Sequence, residues 1–293
     1  MQFMRYKLLY FAISALVLLP SIWSLVVFGL KPAIDFTGGA LIELTITPSE
    51  GIKASETAIR SAAGEEFELG SIQQTSEGTV ILRSKPMSQE EKNTLVERLK
   101  EKLGEIEERR FETVGPTIGK ELLGKTITAI IIAAALILIY VAYRFKQVKY
   151  GVCAILAMFH DTLILLGAFS LLGHFANVEV DTLFVTAILT TLSFSVHDTI
   201  IVYDRIRESL RRHPSAEFED IVNLSVAETL GRSLNNSLTI IFMLVALFLI
   251  GGVTIRWFIL ALLIGTIAGT YSSTFTAAPL LVVWENISKK RKR

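Results

Sequence analysis

Six apolar runs, most of them about as long as a bilayer crossing, constrain this chain more than any other feature. They are Leu8–Leu30, Thr126–Tyr143, Gly151–Leu172, Leu183–Tyr203, Ser237–Gly251 and Trp257–Val283. A hydrocarbon core about 30 Å thick takes roughly 20 helical residues to cross. Hydrophobic residues make up 51% of the 293, so a soluble fold is excluded and six transmembrane helices are expected. The fifth run is short and is expected to begin a turn earlier, near Leu234. The first has Arg5 and Lys7 ahead of it, as an export signal would, but it is too long and no small-residue cleavage site follows. It reads as a retained anchor, bent at Pro20.

The segment between the first two runs is polar. Leu41–Thr47 alternates as a strand does, Ala54–Ala63 suits a short helix, and Phe67–Thr75 with Thr79–Ser84 reads as a hairpin turning at Glu77-Gly78. Ser88 and Glu91 form a capping-box signature for a helix ending at Gly104, and Ile106–Val114 closes the set as a charged strand. The order β-α-β-β-α-β is that of a ferredoxin-like α+β domain, which alone assigns no function. The expected organisation is therefore an N-terminal helix (1–30), an external domain (31–125), a five-helix bundle (126–288) with a cytoplasmic loop (204–235), and a basic tail (289–293). Within that loop Glu217–Leu230 suits an amphipathic helix.

The formal charge of +1 hides an asymmetry. Lys31–Gly124 carries 17 acidic and 12 basic residues, and the remainder 11 and 17. Basic residues near Arg5, Arg144, Arg205–Arg212 and Lys289–Arg293 all fall on one side, whereas the loop Gly173–Asp181 has none. The positive-inside rule then places both termini in the cytoplasm and the polar domain outside, in a multi-pass protein of the cytoplasmic (inner) membrane. The tail is read as an orientation signal and an anchor to anionic membrane lipids rather than a nucleic-acid contact. Cys153 stands alone, so neither a disulfide framework nor a thiol metal cluster is expected.

The chemistry is concentrated in Leu189–Glu208 (LTTLSFSVHDTIIVYDRIRE), where His197 and Asp198 interrupt an apolar run. An ionised carboxylate at the centre of a bilayer costs at least about 2.5–3.5 kcal/mol, so Asp198 needs a partner, a proton or water. Helical spacing puts Thr191, Ser195 and Asp198 on one face. The third run repeats the tripeptide, His160-Asp161-Thr162 against His197-Asp198-Thr199. Neighbouring helical residues point about 100° apart, so a His and its Asp are not expected to face one axis. Asp198 is the expected working acid and Asp161 its support. Arg232, just before the fifth run, is either a boundary marker or a counter-ion that favours the charged acid when near. The last run carries Gly265, Gly269, Ser273 and Ala277 at four-residue intervals, a ladder read as ordinary close helix packing.

No Walker sequence, His-Glu-x-x-His motif or nucleophilic triad is present, so neither an enzyme nor an ATP-driven pump is expected. Three alternatives to a proton pathway stay open on the residues alone. One is a divalent metal-ion transporter using His160, Asp161, His197 and Asp198; another is a diaspartyl intramembrane protease pairing Asp198 with Asp161 or Asp204. The third is a passive scaffold whose buried acids serve only structural hydrogen bonds.

Three stretches resemble the SecF branch of the SecD/SecF family. Ile34–Gly39 (IDFTGG) is similar to that family's motif leading into the external domain. Ser195–Glu208 (SVHDTIIVYDRIRE) is similar to its fourth-span signature, and Gly265–Ser273 (GTIAGTYSS) to its final-span run. The resemblance covers nearly the whole chain. It departs at His197, where some members have asparagine, and at Pro32-Ala33, where a glycine is common. By resemblance the chain pairs with SecD and uses the proton-motive force to help draw unfolded precursor proteins from the SecYEG channel. Protons are then the coupling ion and no cofactor is implied. Asp198 and Arg232 fall on the family's proton-pathway acid and arginine; Asp161, with Thr191, Ser195, His197 and Thr199, lies around them. Asp35, Phe36, Thr37, Gly38 and Gly39 make up the motif at the start of the external domain.

Overall fold

A computed structural model describes residues 2–48, 55–64, 66–74, 79–145 and 147–291. The chain divides into two compact units, Pro32–Ile127 and the remainder.

In the first unit a short helical turn α2 (Ile34–Thr37) leads into β1 (Gly39–Pro48), α3 (Glu56–Ala63), β2 (Leu69–Gln74), β3 (Thr79–Ser84), α4 (Gln89–Leu103) and β4 (Gly104–Val114). The strands form one antiparallel sheet in the order β2-β3-β1-β4, which is the split βαβ arrangement. The alternation of β1 is explained by its central place: Ala40, Ile42, Leu44 and Ile46 are buried against Ile59, Leu95 and Leu99 of the two helices. The capping box forms as expected. Glu91 N–H donates to Ser88 Oγ at 3.2 Å, and Ser88 N–H to Glu91 Oε2 at 2.7 Å. The charged strand β4 is an edge, where charge on the exposed face discourages pairing with another sheet. Its Glu108 holds the buried Lys92 ammonium at 2.6 Å. The turn expected at Glu77-Gly78 lies outside the described residues.

The second unit holds the membrane helices. Six helices are long and apolar enough to cross a membrane. They comprise α1 (Lys7–Val27, preceded by a 3₁₀ turn from Phe3), α5 (Pro116–Arg144), α6 (Val148–Ala176), α7 (Thr182–Arg212) and α8 (Phe218–Ile250). The sixth combines α9 (Val253–Ser272), a π-helical turn (Ser273–Ala277) and α10 (Ala278–Arg291). Helices α6, α7 and the last span are the half-buried centre, whereas α1 and α5 expose Leu8, Leu16, Val26, Ile131, Leu136 and Ile139. So much exposed apolar surface suits lipid and not water.

Two expectations change here. The segment 204–235 is no loop, because only 213–217 are non-helical. Helix α7 runs past the apolar stretch on ion pairs at helical spacing: Arg205–Glu208 at 2.7 Å, Arg212–Glu208 at 2.5 Å and Arg207–Asp204 at 3.4 Å. Arg205 also reaches Glu228 of α8 at 2.5 Å, and the amphipathic helix foreseen at Glu217–Leu230 is the first third of the fifth span. The apolar pattern alone ends α7 too early and starts α8 too late.

Helices α1 and α6 approach closely at small residues. Ser24 Oγ donates to Ser170 Oγ at 2.7 Å, and a Cβ on Gly167 would lie 2.2 Å from Ser21 Cβ. Gly167→Val is therefore expected to destabilise the chain by about 1–3 kcal/mol in thermal unfolding of the detergent-solubilised protein. Gly231→Ala is the control, since a Cβ there meets nothing within 4 Å, and it should leave stability unchanged or slightly raised.

Candidate functional site

The polar face foreseen on α7 exists, and it is buried against the small-residue ladder of the last span. Thr191, Ser195, Asp198 and Thr199 are each at most 3% exposed. A Cβ on Gly265 would lie 2.0 Å from Thr191 Oγ1, and one on Gly269 would lie 3.4 Å from Ser195 Cα. At the next rung Ser273 Oγ donates to Asp198 Oδ2 at 3.0 Å; at the last, Tyr203 OH donates to the Ala277 carbonyl at 2.9 Å. The ladder is thus the surface on which the acid-bearing face of α7 lies.

Asp198 is a three-helix joint. Its Oδ2 also accepts from Ser233 Oγ of α8, at 2.6 Å. Hydrogen bonds to a charged group are worth about 1.5–3 kcal/mol, so two such donors offset much of the cost of holding a carboxylate here. Neither serine was foreseen as a ligand of the acid. Ser273 belonged to the ladder, and Ser233 is the immediate neighbour of Arg232. Because the two point about 100° apart, Ser233 faces inward while Arg232 is exposed and does not contact Asp198. Near the acid Thr270 Oγ1 donates to Ser237 Oγ at 2.7 Å. Ser195 Oγ and Thr199 Oγ1 are buried with no partner among the described residues.

Asp161 is fully buried on α6. Its Oδ2 accepts from Ser272 Oγ at 2.6 Å, and its Oδ1 lies 2.9 Å from His160 Nδ1. Consecutive serines of the last span therefore serve two different acids. A π-helical turn begins between them, the irregularity that often marks functional positions in helices. The expected divergence of neighbours holds for His197, which is exposed and lines a groove of about 460 Å³ with Tyr140, Arg144 and Ile200. It fails for His160, whose ring turns back onto Asp161. The four groups a metal transporter would need are consequently not gathered, and among the described residues no three His, Cys, Asp or Glu side chains cluster. Asp204 pairs with Arg144 and Arg207 instead of an acid.

The motif at the start of the first unit is a backbone joint. Ile34 and Phe36 are buried, Asp35 is partly exposed, and Thr37 Oγ1 donates to the Ala33 carbonyl at 3.1 Å. Gly38 and Gly39 have φ of 72° and 132°, a region that favours glycine. A Cβ on Gly38 would lie 2.7 Å from Pro116 Cα, so the strand entering the sheet and the helix leaving it meet without side chains between them. The same motif borders a groove of about 510 Å³ lined by Glu68, Arg83 and Lys85, where burial lowers the Arg83 guanidinium below its ordinary value.

Fold and site together define a polytopic α-helical membrane protein with an inserted α+β unit and acids buried at helix joints. The model of the protein export membrane protein SecD/SecF C-terminal family matches residues 94–287, and that of the SecD/SecF GG motif matches residues 23–50. The chain belongs to the SecD/SecF family. It is 44% identical to the protein translocase subunit SecF of Thermobaculum terrenum, over 96% of this chain and 93% of that one. Identity to the same-named subunit of Anaerolinea thermophila is 38%, over 96% and 92%. The crystal structure of SecDF from Thermus thermophilus, a translocon-associated membrane protein, superposes with a TM-score of 0.84 at 33% identity. That match covers 98% of this chain but 39% of the Thermus chain, so the present chain spans well under half of that protein.

Ser233→Ala and Ser273→Ala should each lower stability by about 1–3 kcal/mol in thermal unfolding. Because both hydroxyls bind one oxygen, the double substitution should depart from the sum of the singles by at least about 0.5 kcal/mol.

Proposed function

We propose that this chain is a SecF-type subunit that pairs with a SecD-type partner beside the SecYEG channel. The pair uses the proton-motive force to help draw unfolded precursor proteins across the cytoplasmic membrane late in export. The observation that carries this reading is Asp198, 1% exposed and held through one oxygen by hydroxyls from two other helices. While ionised it accepts from both Ser233 and Ser273. Once protonated it becomes a donor itself, and the two hydroxyls no longer share a charged acceptor. The joint between α7, α8 and the last span then loosens by an amount of the order of one charge-assisted hydrogen bond, about 1.5–3 kcal/mol. Moving one charge down the membrane potential supplies about 2.3 kcal/mol per 100 mV, which is of the same size. A proton taken up from one side and released to the other can therefore switch the helix packing, and the external unit is the element such a switch would move.

Family membership and the names of the relatives support the export role. Orientation with both termini in the cytoplasm is supported by the basic residues, which meet acids of other helices through Lys7–Glu219 at 3.0 Å and Lys149–Glu285 at 2.9 Å. On this reading Arg232, exposed in the chain by itself, is available to a partner subunit.

Asp198→Asn keeps an acceptor for the serines and removes the titration. It should leave folding intact, while export stimulated by an imposed proton gradient falls to the level without the pair, in vesicles holding SecYEG and the SecD-type partner. Stimulation equal to the unsubstituted protein's would overturn the reading.

A further inference from the structure

The mechanism above leaves His160 without a task. Its ring is 6% exposed, its Nδ1 faces Asp161 Oδ1 at 2.9 Å, and its Nε2 is buried with no partner among the described residues. An imidazole that donates Nδ1–H to a carboxylate carries a free lone pair on Nε2. Leaving such an acceptor buried and unused costs about 1–3 kcal/mol. The arrangement suits a base that takes a proton, because Asp161 lies on the far side of the ring as counter-ion to the charge that would arrive.

We propose that His160 is a second proton-binding site. It binds a proton at Nε2 and releases it there, with Asp161 as counter-ion and the Ser272–Ser273 pair joining it to Asp198. The proposal rests on the reading of Asp198 given above and extends that pathway to α6.

The surroundings bring little other charge to the pair. Helix α1 has no acid or base between Leu8 and Val27, and the last span has none between Trp257 and Trp284. Tyr271 of that span donates its phenol to the Tyr10 carbonyl of α1 at 2.8 Å. From α7 come Asp198 and Tyr203, the latter committed to the Ala277 carbonyl. Glu285 of α10 is paired with Lys149. A proton arriving at His160 or leaving it changes the charge beside the Ser272–Ser273 pair. The serines can follow either change, because each hydroxyl has a second acceptor. Ser272 Oγ lies 3.3 Å from the Gly269 carbonyl, and Ser273 Oγ lies 3.1 Å from that of Thr270. A hydroxyl released by its acid swings to a carbonyl and is not left unpaired.

The test is nitrogen NMR of the full chain, labelled at histidine, in lipid nanodiscs. The other three histidines, His174, His197 and His213, are exposed. Replacing those three by Gln assigns the His160 signals even if His160→Gln fails to fold. At high pH the signals should show Nδ1–H with bare Nε2, and Nε2 should gain a proton as the pH is lowered. Asp198→Asn should change the His160 protonation profile, and Ser272→Ala with Ser273→Ala should reduce that change. An Nε2–H tautomer at high pH, no proton uptake on acidification, or no response to Asp198→Asn would overturn the proposal. The titration needs neither SecYEG nor precursor. A titrating His160 beside an export-competent Asp198→Asn would overturn the motor reading alone, and a silent His160 beside an inactive one would overturn only this proposal.

Discussion

An acid buried where three apolar helices meet organises the membrane half of this protein. Asp198 is tolerated because α8 and the last span each bring one hydroxyl to the same oxygen, and those hydroxyls arrive only if the helices approach closely. The glycines of the last span permit that approach: at Gly265 there is no room for even one methyl group beside Thr191. The small-residue ladder and the acid are thus parts of one device, in which backbone proximity makes solvation of the acid by protein possible. Any event that alters the charge on Asp198 acts directly on the contacts between three helices.

The α+β unit follows a different logic, with a core of the ordinary kind. Its sheet buries Ile42, Leu44 and Leu82 beneath two helices, and its edge strand is defended by charge. At its own entry and exit, Gly38 and Pro116 bring the two chain segments together backbone to backbone.

Much of this was legible in the sequence because the patterns are local. The Ser88–Glu91 spacing, the alternation of β1 and the apolar runs each report on residues a few positions apart. The polar face of α7 was legible for the same reason. What escaped notice depends on partners far along the chain or on which way a short side chain turns. Ser233 lies 35 positions from the acid it binds, and a serine in an apolar helix gives no directional signal. The charged ends of α7 and α8 looked like a loop because their stability comes from ion pairs rather than apolar periodicity. His160 was expected to diverge from Asp161, and only the ring's actual rotation brings its Nδ1 onto the acid.

The π-helical turn has a bearing on how the final span could arise and what it could tolerate. Such a turn holds one residue more than the α-helical register allows. That surplus residue sets the angular phase of everything after Ala277. Excising it would rotate α10 by about 100° about its axis and carry Glu285 away from Lys149, although neither residue had changed. The length of the last helix is therefore under tighter constraint than its composition: conservative replacements inside the turn are survivable, whereas a shift of reading by a single amino acid would reset an ion pair two turns beyond it.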